Sequence, residues 1–484
     1  MLNLLIAFSL VVPLIGAVGI LIADKKPNLR EACTLLTSVV LLFVVVKIFL
    51  ALRGGETPEL TLFELLPGLE IKFTVEPLGM LFALVAAILW PVNSLYSIGY
   101  MRGNAEKHQT RFYFFFAIAI FGAIGVAFAG NLLTLFLFYE LLTLSTFPLV
   151  THKGNDSAKS GGRVYLGILI STSIGLLLPA IIWVWELAGT TDFQAGGVVP
   201  QYVEGGTVFV LAMLFVFGIG KAGVMPVHRW LPAAMVAPTP VSALLHAVAV
   251  VKAGVFSVVK VVVYVFGIDT LGAEPSVDWL LWFALFTIVA ASTVALRQDN
   301  LKKRLAYSTI SQLSYVVMGA LILVPLSVTG AALHIIAHAF GKITLFFAAG
   351  SIYTSSKKTE ISQLNGIGRR MPWTMAAFTV GALSMIGIPP AAGFLSKWYL
   401  LSGAIAADQY IAVLVIFIST LLNTAYFAPI VYAAYFKRDR SDTMLNYGEA
   451  PLPAVVALCF TALLTITLFF FPQTVFELIQ MIET

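Results

Sequence analysis

The chain has 484 residues, of which 59% are hydrophobic and only 11% are charged, and its mean hydropathy is +0.94. Because soluble globular proteins carry about a quarter charged residues, this composition excludes a soluble fold. The net charge of +5 comes from residues between the apolar runs, so it concerns membrane topology rather than nucleic-acid binding. Cys33 and Cys459 lie within apolar stretches without metal-ligating neighbours, and we expect neither a disulfide nor a redox role for them.

Apolar runs of about 20 residues recur along the whole chain, and each is long enough to cross a hydrocarbon core of about 30 Å as a helix. The runs are continuously apolar rather than alternating, which excludes a β-barrel. The first run has no basic residue before it and no small-residue cleavage site, as is typical of an uncleaved span. The sequence therefore predicts an all-α polytopic membrane protein with about fourteen transmembrane helices. We expect them near residues 2–22, 31–51, 74–99, 112–129, 131–150, 163–187, 207–225, 240–266, 278–296, 304–324, 329–354, 373–404, 409–436 and 452–472.

Charged residues sort into alternate loops, as they do when Lys and Arg collect on the cytoplasmic side of a membrane. One set of loops, the basic side, carries Lys25, Lys26, Arg30, Arg102, Lys107, Arg111, Lys153, Lys159, Arg163, His228, Arg229, Arg297, Lys302, Lys303, Arg304, Lys357, Lys358, Arg369, Arg370, Lys437, Arg438 and Arg440. The other set carries Glu56, Glu59, Glu64, Glu70, Glu186, Asp192, Glu204, Asp269, Glu274, Asp278, Asp408, Glu477 and Glu483. This separation predicts an even number of spans with both termini outside, in the inner (plasma) membrane of a prokaryotic cell.

Residues 57–75 are too polar to span the membrane and alternate loosely between polar and apolar side chains, which predicts a small external hairpin. The sequence contains no hydrophilic domain, no nucleotide-binding loop and no cysteine cluster. We therefore expect no cofactor, no metal and no catalytic centre of its own, and an energy source in an ion gradient or a partner protein.

Two spans contain helix-breaking residues, each with a lysine beside the break. Glycine and proline weaken the seventh span near Lys221 and the twelfth span near Lys397. The residues concerned are Gly218, Gly220, Gly223 and Pro226 in the seventh, and Gly387, Pro389, Pro390 and Gly393 in the twelfth. Broken helices at comparable places in two halves point to inverted repeats and a midplane ion site, although Gly and Pro are also common in ordinary membrane helices.

The positions of the two breaks predict how the chain is divided. We expect an N-terminal part over residues 1–111 with three helices and the external hairpin, and a C-terminal helix within residues 437–484. Between them we expect two inverted five-helix repeats, over residues 112–266 and 278–436.

Ionisable residues inside the spans are the strongest functional signal, because each costs about 2.5–3.5 kcal/mol to place in hydrocarbon. We call this set the ionisable series: Glu140, Lys221, His246, Lys252, His334, His338, Lys342 and Lys397. Lys260 also lies in a span, but no motif surrounds it, and it fits a lysine that reaches the membrane surface from a helix end. Lys397 fits that explanation poorly, because the double-proline break before it exposes backbone carbonyls and admits water.

Glu140 lies near the middle of its span, too far from either end to reach water, and it therefore requires a cation. Lys221 is the expected partner. Such a pair would hold a switchable proton, because a nearby carboxylate favours the charged lysine and burial favours the neutral one. The alternative is a static ion pair that only packs the helices.

His334, His338 and Lys342 recur every four residues, which places them on one face of the eleventh helix. Two histidines at this spacing could bind zinc, but no acidic or thiol ligand lies nearby and a lysine follows on the same face. Core histidines with ordinary hydrogen bonds are the stronger alternative. His246 and Lys252 are six residues apart and lie on different helix faces, so either could join the polar axis while the other bonds to a neighbouring helix.

The segment GKAGVMPVHRWLPAAMVAPTPVSALLHAVAVVKAGVF resembles the signature of the antiporter-like, proton-conducting subunits of respiratory complex I, membrane-bound hydrogenases and Mrp-type sodium/proton antiporters. The resemblance extends through FYELLTLSTFPL, ALHIIAHAFGKITLFFAAG and GIPPAAGFLSKWYLL and covers about residues 75–435. It implies fourteen core helices, inverted repeats, and discontinuous seventh and twelfth helices. With Lys397 in place of a glutamate, the chain looks most like the D subunit of an Mrp antiporter or its hydrogenase counterpart. The eleventh-helix pattern also resembles the large complex I subunit, which leaves the subfamily open.

The resemblance also implies roles for the ionisable series. By motif position, the fifth-helix glutamate is Glu140, the seventh-helix and eighth-helix lysines are Lys221 and Lys252, the central axis of the eleventh helix is His334, His338 and Lys342, and the twelfth-helix terminal residue is Lys397. The implied function is proton movement along this series within a multi-subunit cation/proton antiporter, hydrogenase or quinone oxidoreductase-like complex, beside homologous membrane subunits.

Two other function classes remain open from the sequence: a solute permease with a roomy polar pocket, and a structural membrane subunit. The row of Lys and His residues favours H⁺ over Na⁺ as the ion handled, since sodium requires several oxygen ligands. A sodium path along backbone carbonyls and hydroxyls such as Ser242, Thr309 and Ser396 is the alternative. If the complex exchanges Na⁺, we expect that ion to pass mainly through another subunit or an interface.

Overall fold

The structure is a computed structural model that describes residues 2–66, 68–200, 203, 205–438 and 447–482. Of the loop charges named above, Glu204, Arg440 and Glu483 lie outside the described residues.

The first three helices and a hairpin form the N-terminal part of the chain. These elements are α1 (Leu2–Ile22), α2 (Pro27–Arg53), β1 (Glu59–Leu66), β2 (Leu69–Thr74) and α3 (Pro77–Gly103). β1 and β2 pair in antiparallel fashion, with Glu59 opposite Thr74 and Leu66 opposite Leu69. The hairpin predicted over residues 57–75 is therefore confirmed.

The next five spans include the first broken helix. They are α4 (Gln109–Ala127), α5 (Leu132–Val150), α6 (Asp156–Ala188), α7 (Gly205–Gly218) and α8 (Thr239–Phe266). α7 ends at Gly218, and the chain continues through short helical turns over residues 220–236 before α8 begins. The predicted discontinuity of the seventh span is thus confirmed.

The second set of five spans repeats this arrangement. It comprises α9 (Pro275–Leu296), α10 (Leu301–Leu321), α11 (Pro325–Ser356), a twelfth span formed by α12 (Pro372–Ile386) and α13 (Gly393–Ala406), and α14 (Tyr410–Phe436). The broken helix is again the fourth of five. Each crossing takes the chain to the other side of the membrane, and each set contains an odd number of crossings. The second set therefore begins on the side opposite to the first. α15 (Leu452–Phe470) and a short helix, α16 (Gln473–Gln480), follow.

Among the described residues, eleven helices are long and apolar enough to cross a membrane. Three further crossings are the interrupted seventh and twelfth spans and the more polar α10. The described part of the chain therefore has fourteen crossings, as the sequence predicts. Their bounds differ from the expected ones by several residues. The division at residues 111, 266, 278 and 436 stays a prediction.

The connections between helices meet in two groups. In one group, Thr74 N–H donates to the Phe128 carbonyl at 2.8 Å and Phe193 N–H donates to the Gly130 carbonyl at 3.1 Å. We call this group, which includes β1 and β2, the hairpin side. In the other group, Leu301 N–H donates to the Thr359 carbonyl at 3.0 Å and Asn104 donates to Thr354 at 2.8 Å. This second group is the basic side defined above.

The centre of the protein is formed by α8 and α11, whose most apolar segments are entirely buried within the chain. α2, by contrast, exposes leucine, valine and phenylalanine side chains along one face, as expected for a helix in contact with lipid or another subunit. Helices α8 and α11 carry five of the eight residues of the ionisable series, so most of the series lies in the most enclosed part of the fold.

Candidate functional site

Lys221 is held at the break that follows α7. It lies in the short helical turn Gly220–Ala222 and has no exposed surface. Its Nζ donates to the Tyr139 carbonyl at 2.7 Å and to Thr143 Oγ1 at 2.6 Å, and it lies 3.0 Å from the centre of the Tyr139 ring. The break therefore turns a lysine inward onto the buried face of α5.

Glu140 does not contact Lys221, contrary to the expected ion pair, because no nitrogen–oxygen distance between them falls within 4.0 Å. Tyr139 occupies the inner face of α5, and the next residue on a helix points about 100° away from it. Glu140 is half-buried, and Leu137 and Leu144 on the same face of α5 are exposed. Glu140 thus lies at the edge of the outer surface within the span, with Oε1 of its carboxylate buried and without a hydrogen-bond partner in the chain.

Lys252 and His338 connect the two central helices. Lys252 Nζ in α8 lies 2.7 Å from Nδ1 of His338 in α11, and both side chains are buried. Lys252 is thus the member of the pair that contacts the eleventh-helix stripe, whereas His246 has no hydrogen bond to a neighbouring helix. The contact places two titratable nitrogens within direct proton-transfer distance.

The contacts continue from His338 toward α13. The rings of His334 and His338 are stacked with centres 6.0 Å apart. His334 Nδ1 lies 2.9 Å from the hydroxyl of Ser396, the residue before Lys397. Nε2 of His338 is buried and has no hydrogen-bond partner in the chain, so it requires a buried water molecule.

Lys397 caps the first half of the twelfth span. Its Nζ donates to the carbonyls of Met385 at 3.0 Å and Ile386 at 2.9 Å, which are orphan acceptors at the end of α12. The negative end of the helix dipole favours a cation at this position. Gly387 has a φ of +89°, and a Cβ there would lie 2.7 Å from Lys397 Cδ. Glycine is therefore required both by the backbone and by the lysine that passes over it.

Lys342 belongs to a separate polar branch between α11, α10 and α14. Its Nζ donates to Ser308 Oγ at 2.7 Å, and that hydroxyl accepts a second hydrogen bond from Tyr426 at 2.9 Å. Tyr426 also bonds to Asn423. The stripe of His334, His338 and Lys342 thus faces two different sets of partners along α11.

His246 is buried in a π-helical turn of α8, Leu244–Val248. Its ring centre lies 4.7 Å from that of Phe346, and neither ring nitrogen has a hydrogen-bond partner in the chain. π-Helical turns within α-helices are frequent at functional sites. Two unsatisfied nitrogens in a fully buried ring again require buried water.

Some participants lack a signal that singles them out in the sequence. α10 contributes Ser308, Gln312 and Tyr315, all fully buried, and both amide atoms of Gln312 lack a partner in the chain. The feature of the sequence that points to these α10 residues is the hydroxyl-rich run YSTISQLSY inside a span.

The expectation for Lys260 was wrong, because its side chain is fully enclosed and pairs with Glu76 instead of reaching the surface.

A cavity of about 210 Å³ opens on the basic side. Its lining includes Tyr100, Lys153, Thr239 and Lys302. Lys302 Nζ donates to the Ala237 carbonyl at 2.5 Å, just before α8 begins. Thr239 is the first residue of α8, so the cavity ends about two helical turns from His246.

Residues 129–423 match the protein family described as "NADH:quinone oxidoreductase/Mrp antiporter, TM". The chain belongs to this family. The matched segment includes every residue of the ionisable series. The family assignment predicted from the sequence is thus confirmed.

Relatives within this family belong to membrane complexes. NADH-quinone oxidoreductase subunit N from Desulforudis audaxviator is 32% identical, over 77% of this chain and 74% of that protein. A chain of the archaeal membrane-bound sulfane sulfur reductase matches with a TM-score of 0.86 at 22% identity, covering 98% of this chain and 96% of that one. A chain of the Mrp complex from Dietzia sp. matches with a TM-score of 0.84 at 20% identity, covering 100% and 97%. At these identities the two structures establish the shared fold.

Proposed function

We propose that the chain is a proton-translocating subunit of a multi-subunit membrane complex, either a cation/proton antiporter or a complex I-like redox-driven pump. The observation that carries this proposal is the contact series Lys252, His338, His334 and Ser396, which ends beside Lys397. Each side chain in the series can both give and take up a proton, and each is buried. Family membership and this geometry favour proton translocation over a solute permease or a structural subunit.

Water completes the proposed route between the groups that do not touch. Glu140, His246 and His338 carry buried atoms without a partner in the chain, and such atoms are satisfied by water in proteins. Lys221 lies beside α8, because a Cβ on Gly254 would fall 2.3 Å from the Lys221 carbonyl carbon. We place Lys221 at one end of the route and Lys397 at the other, with Glu140 modulating Lys221.

The basic side is proposed to face the cytoplasm, following the distribution of Lys and Arg. The cavity lined by Thr239 and Lys302 then supplies protons to His246 from that side. Both termini and the hairpin would lie outside, in the plasma membrane of a prokaryote.

Glu140 supports the proposal of a larger complex. Glu140 is half-buried between the exposed Leu137 and Leu144, so the exposed part of its side chain would face hydrocarbon in an isolated subunit, where an ionised group costs about 2.5–3.5 kcal/mol. A neighbouring membrane subunit, homologous to this one, removes that cost by covering the face. Purification in mild detergent should yield a multi-subunit particle, and a stable, active monomer would contradict this part of the proposal.

The central test uses Lys221→Ala and Lys397→Ala, each in the assembled complex reconstituted into vesicles. Proton transport should fall by about tenfold or more, since each change removes a proton-carrying group. Lys47→Ala is the matched control, because Lys47 is a membrane-helix lysine exposed on the outer face of α2. Near-normal transport by correctly assembled Lys221→Ala and Lys397→Ala complexes would overturn the proposal.

A further inference from the structure

A buried acid–lysine pair lies on the hairpin side, outside the ionisable series. Lys260 in α8 has no exposed surface, and its ammonium forms an ion pair with the carboxylate of Glu76. The same ammonium donates to the Ala129 carbonyl at 2.6 Å. The rings of Phe193 and Phe256 have their centres 4.2 and 5.4 Å from Nζ. An ionised pair is therefore enclosed by aromatic rings and backbone.

Glu76 connects this pair to the hairpin-side surface. It directly precedes α3, and its side chain remains 16% exposed. Gly130, next to Ala129, donates its N–H to the Lys72 carbonyl at 2.8 Å, which places β2 over the pair. Lys72 itself pairs with Asp192 at 3.1 Å, so charged side chains lie on the hairpin-side surface at β2.

Lys260 is also the next titratable residue after Lys252 along α8 toward the hairpin side. Eight residues of α-helix separate their Cα atoms by about 12 Å along the axis, with side chains about 80° apart around it. Phe256 lies midway, and its ring packs 5.2 Å from that of Phe82. The central contact series and the surface are thus separated by one aromatic layer and the Glu76–Lys260 pair.

We infer that Glu76 and Lys260 form the hairpin-side terminal of the proton route, a site where protons exchange between Lys252 and the outer aqueous phase. This inference rests on the proposed function. A buried ion pair contributes little net stability compared with apolar side chains of the same size, so stability alone is a weak reason for its presence. Ionisable residues inside a membrane span mark ion pathways by default.

The proton transfer at Glu76 and Lys260 takes place in steps that conserve atoms and charge. An N–H bond of the Lys260 ammonium breaks and an O–H bond forms on Glu76, which leaves a neutral amine and a neutral carboxylic acid. The acid then gives that proton to water at the exposed part of the Glu76 side chain and becomes a carboxylate again. The amine takes up a proton delivered by buried water from the Lys252 side, past the Phe256 ring. The reverse order of steps carries a proton inward.

A double variant separates this role from a static ion pair. Glu76→Leu with Lys260→Met removes both charges and leaves no unpaired one, so the complex should assemble. A static pair predicts that proton transport in reconstituted vesicles is restored in the double variant relative to either single variant. A proton-transfer site predicts transport reduced by about tenfold or more in the double variant despite normal assembly. Near-normal transport in the double variant overturns the inference.

Glu76→Gln gives a second measurement that does not depend on the double variant assembling. Glutamine keeps the shape and a hydrogen bond to Lys260 but cannot carry the proton, so transport should fall at least about fivefold in an assembled complex. Normal transport by Glu76→Gln would equally overturn the inference. Lys72→Met is the matched control, because Lys72 is a surface lysine of the hairpin that does not contact Glu76 or Lys260, and it should leave transport unchanged. Burial opposes the charge on Lys72, but hydrogen bonds to Glu59 and Asp192 raise its pKa above the ordinary value, so it stays protonated at neutral pH and does not alternate between two protonation states.

Parallel measurements on Lys221→Ala separate a failure of the terminal site from a failure of the proposed function. If Lys221→Ala abolishes transport while the Glu76 and Lys260 variants transport normally, the terminal site is wrong and the proposed function stands. If all of these variants assemble and transport normally, the proposed function itself is wrong.

Discussion

Lys252 Nζ lies 2.7 Å from Nδ1 of His338 in the most enclosed part of the fold. A hydrogen bond needs a donor and an acceptor, and a charged ammonium or a protonated imidazole nitrogen can only donate. The two residues therefore share one proton at this contact and do not carry two facing positive charges. Sharing a proton between two bases is the property that a relay requires, and it links the packing of α8 on α11 to the proposed function.

Replacing Lys252 by arginine tests this shared proton. Arginine keeps the positive charge but is not deprotonated in proteins, so it cannot accept the proton back. Transport by the assembled complex should fall by about tenfold or more, as measured by proton uptake into vesicles. Lys47→Arg makes the same change on the outer face of α2 and should leave the rate unchanged. A normal rate with Lys252→Arg would mean that this position needs only a positive charge.

Gly387→Ala should displace Lys397 from the end of α12. The φ of +89° disfavours any residue with a Cβ by about 1–2 kcal/mol, and the added methyl would lie 2.7 Å from Lys397 Cδ. Both proton transport and thermal stability of the complex should therefore decrease. Gly189→Ala is the matched control, because Gly189 also has a positive φ, +68°, but open space around its Cα. Gly189→Ala should lower stability without lowering transport. If Gly387→Ala and Gly189→Ala transported protons at the same rate, the proposed role of Lys397 in proton transport would be contradicted.

Gly254→Ala should separate α8 from the break that carries Lys221. An added Cβ would lie 2.3 Å from the Lys221 carbonyl carbon and 2.4 Å from the Ala222 nitrogen, and backbone atoms cannot move aside as a flexible side chain can. Overpacking of this kind costs about 1–3 kcal/mol. Slower proton transport and a lower melting temperature of the complex are expected. Gly167→Ala in α6, where no atom lies within 4 Å, should change neither quantity.

The sequence was sufficient to predict the spans, the hairpin and the two broken helices, because each depends on local properties. Apolar runs of membrane length and Gly and Pro clusters act through the nearest few residues. At Lys397 the double-proline break predicted exposed backbone carbonyls, and Lys397 Nζ donates to the carbonyls of Met385 and Ile386.

Contacts between helices were harder to predict, because they depend on rotation about each helix axis. Neighbouring positions on a helix differ by about 100°, so Tyr139 is fully buried and Glu140 only half-buried although both lie mid-span. The same reason explains why Lys221 contacts Tyr139 and Thr143 rather than Glu140. Lys260 was expected to reach the membrane surface, but it is enclosed by Glu76 and Phe193. Both residues are distant from it in sequence, so local patterns do not predict these contacts.

The identity of the transported ion is the last prediction, and Glu140 is the residue that tests it. A sodium site holds the ion with several oxygen ligands, usually carboxylates together with carbonyls or hydroxyls. Glu140 is the one carboxylate of the ionisable series, and it lies on the outer face of α5, away from the contact series on α8 and α11. The other members are Lys and His, whose protonated forms repel Na⁺.

Glu140→Gln in the assembled complex should therefore slow proton uptake, through the loss of a charge near Lys221, and leave sodium binding unchanged. Proton uptake is measured in vesicles, and sodium binding by titration of the purified complex. Leu144→Gln is the matched control, because it adds the same amide group one helical turn away on the same exposed face of α5. If Glu140→Gln instead retained proton uptake and selectively lost sodium affinity, Glu140 would be a sodium ligand. That result would overturn the assignment of H⁺ as the ion that this chain handles.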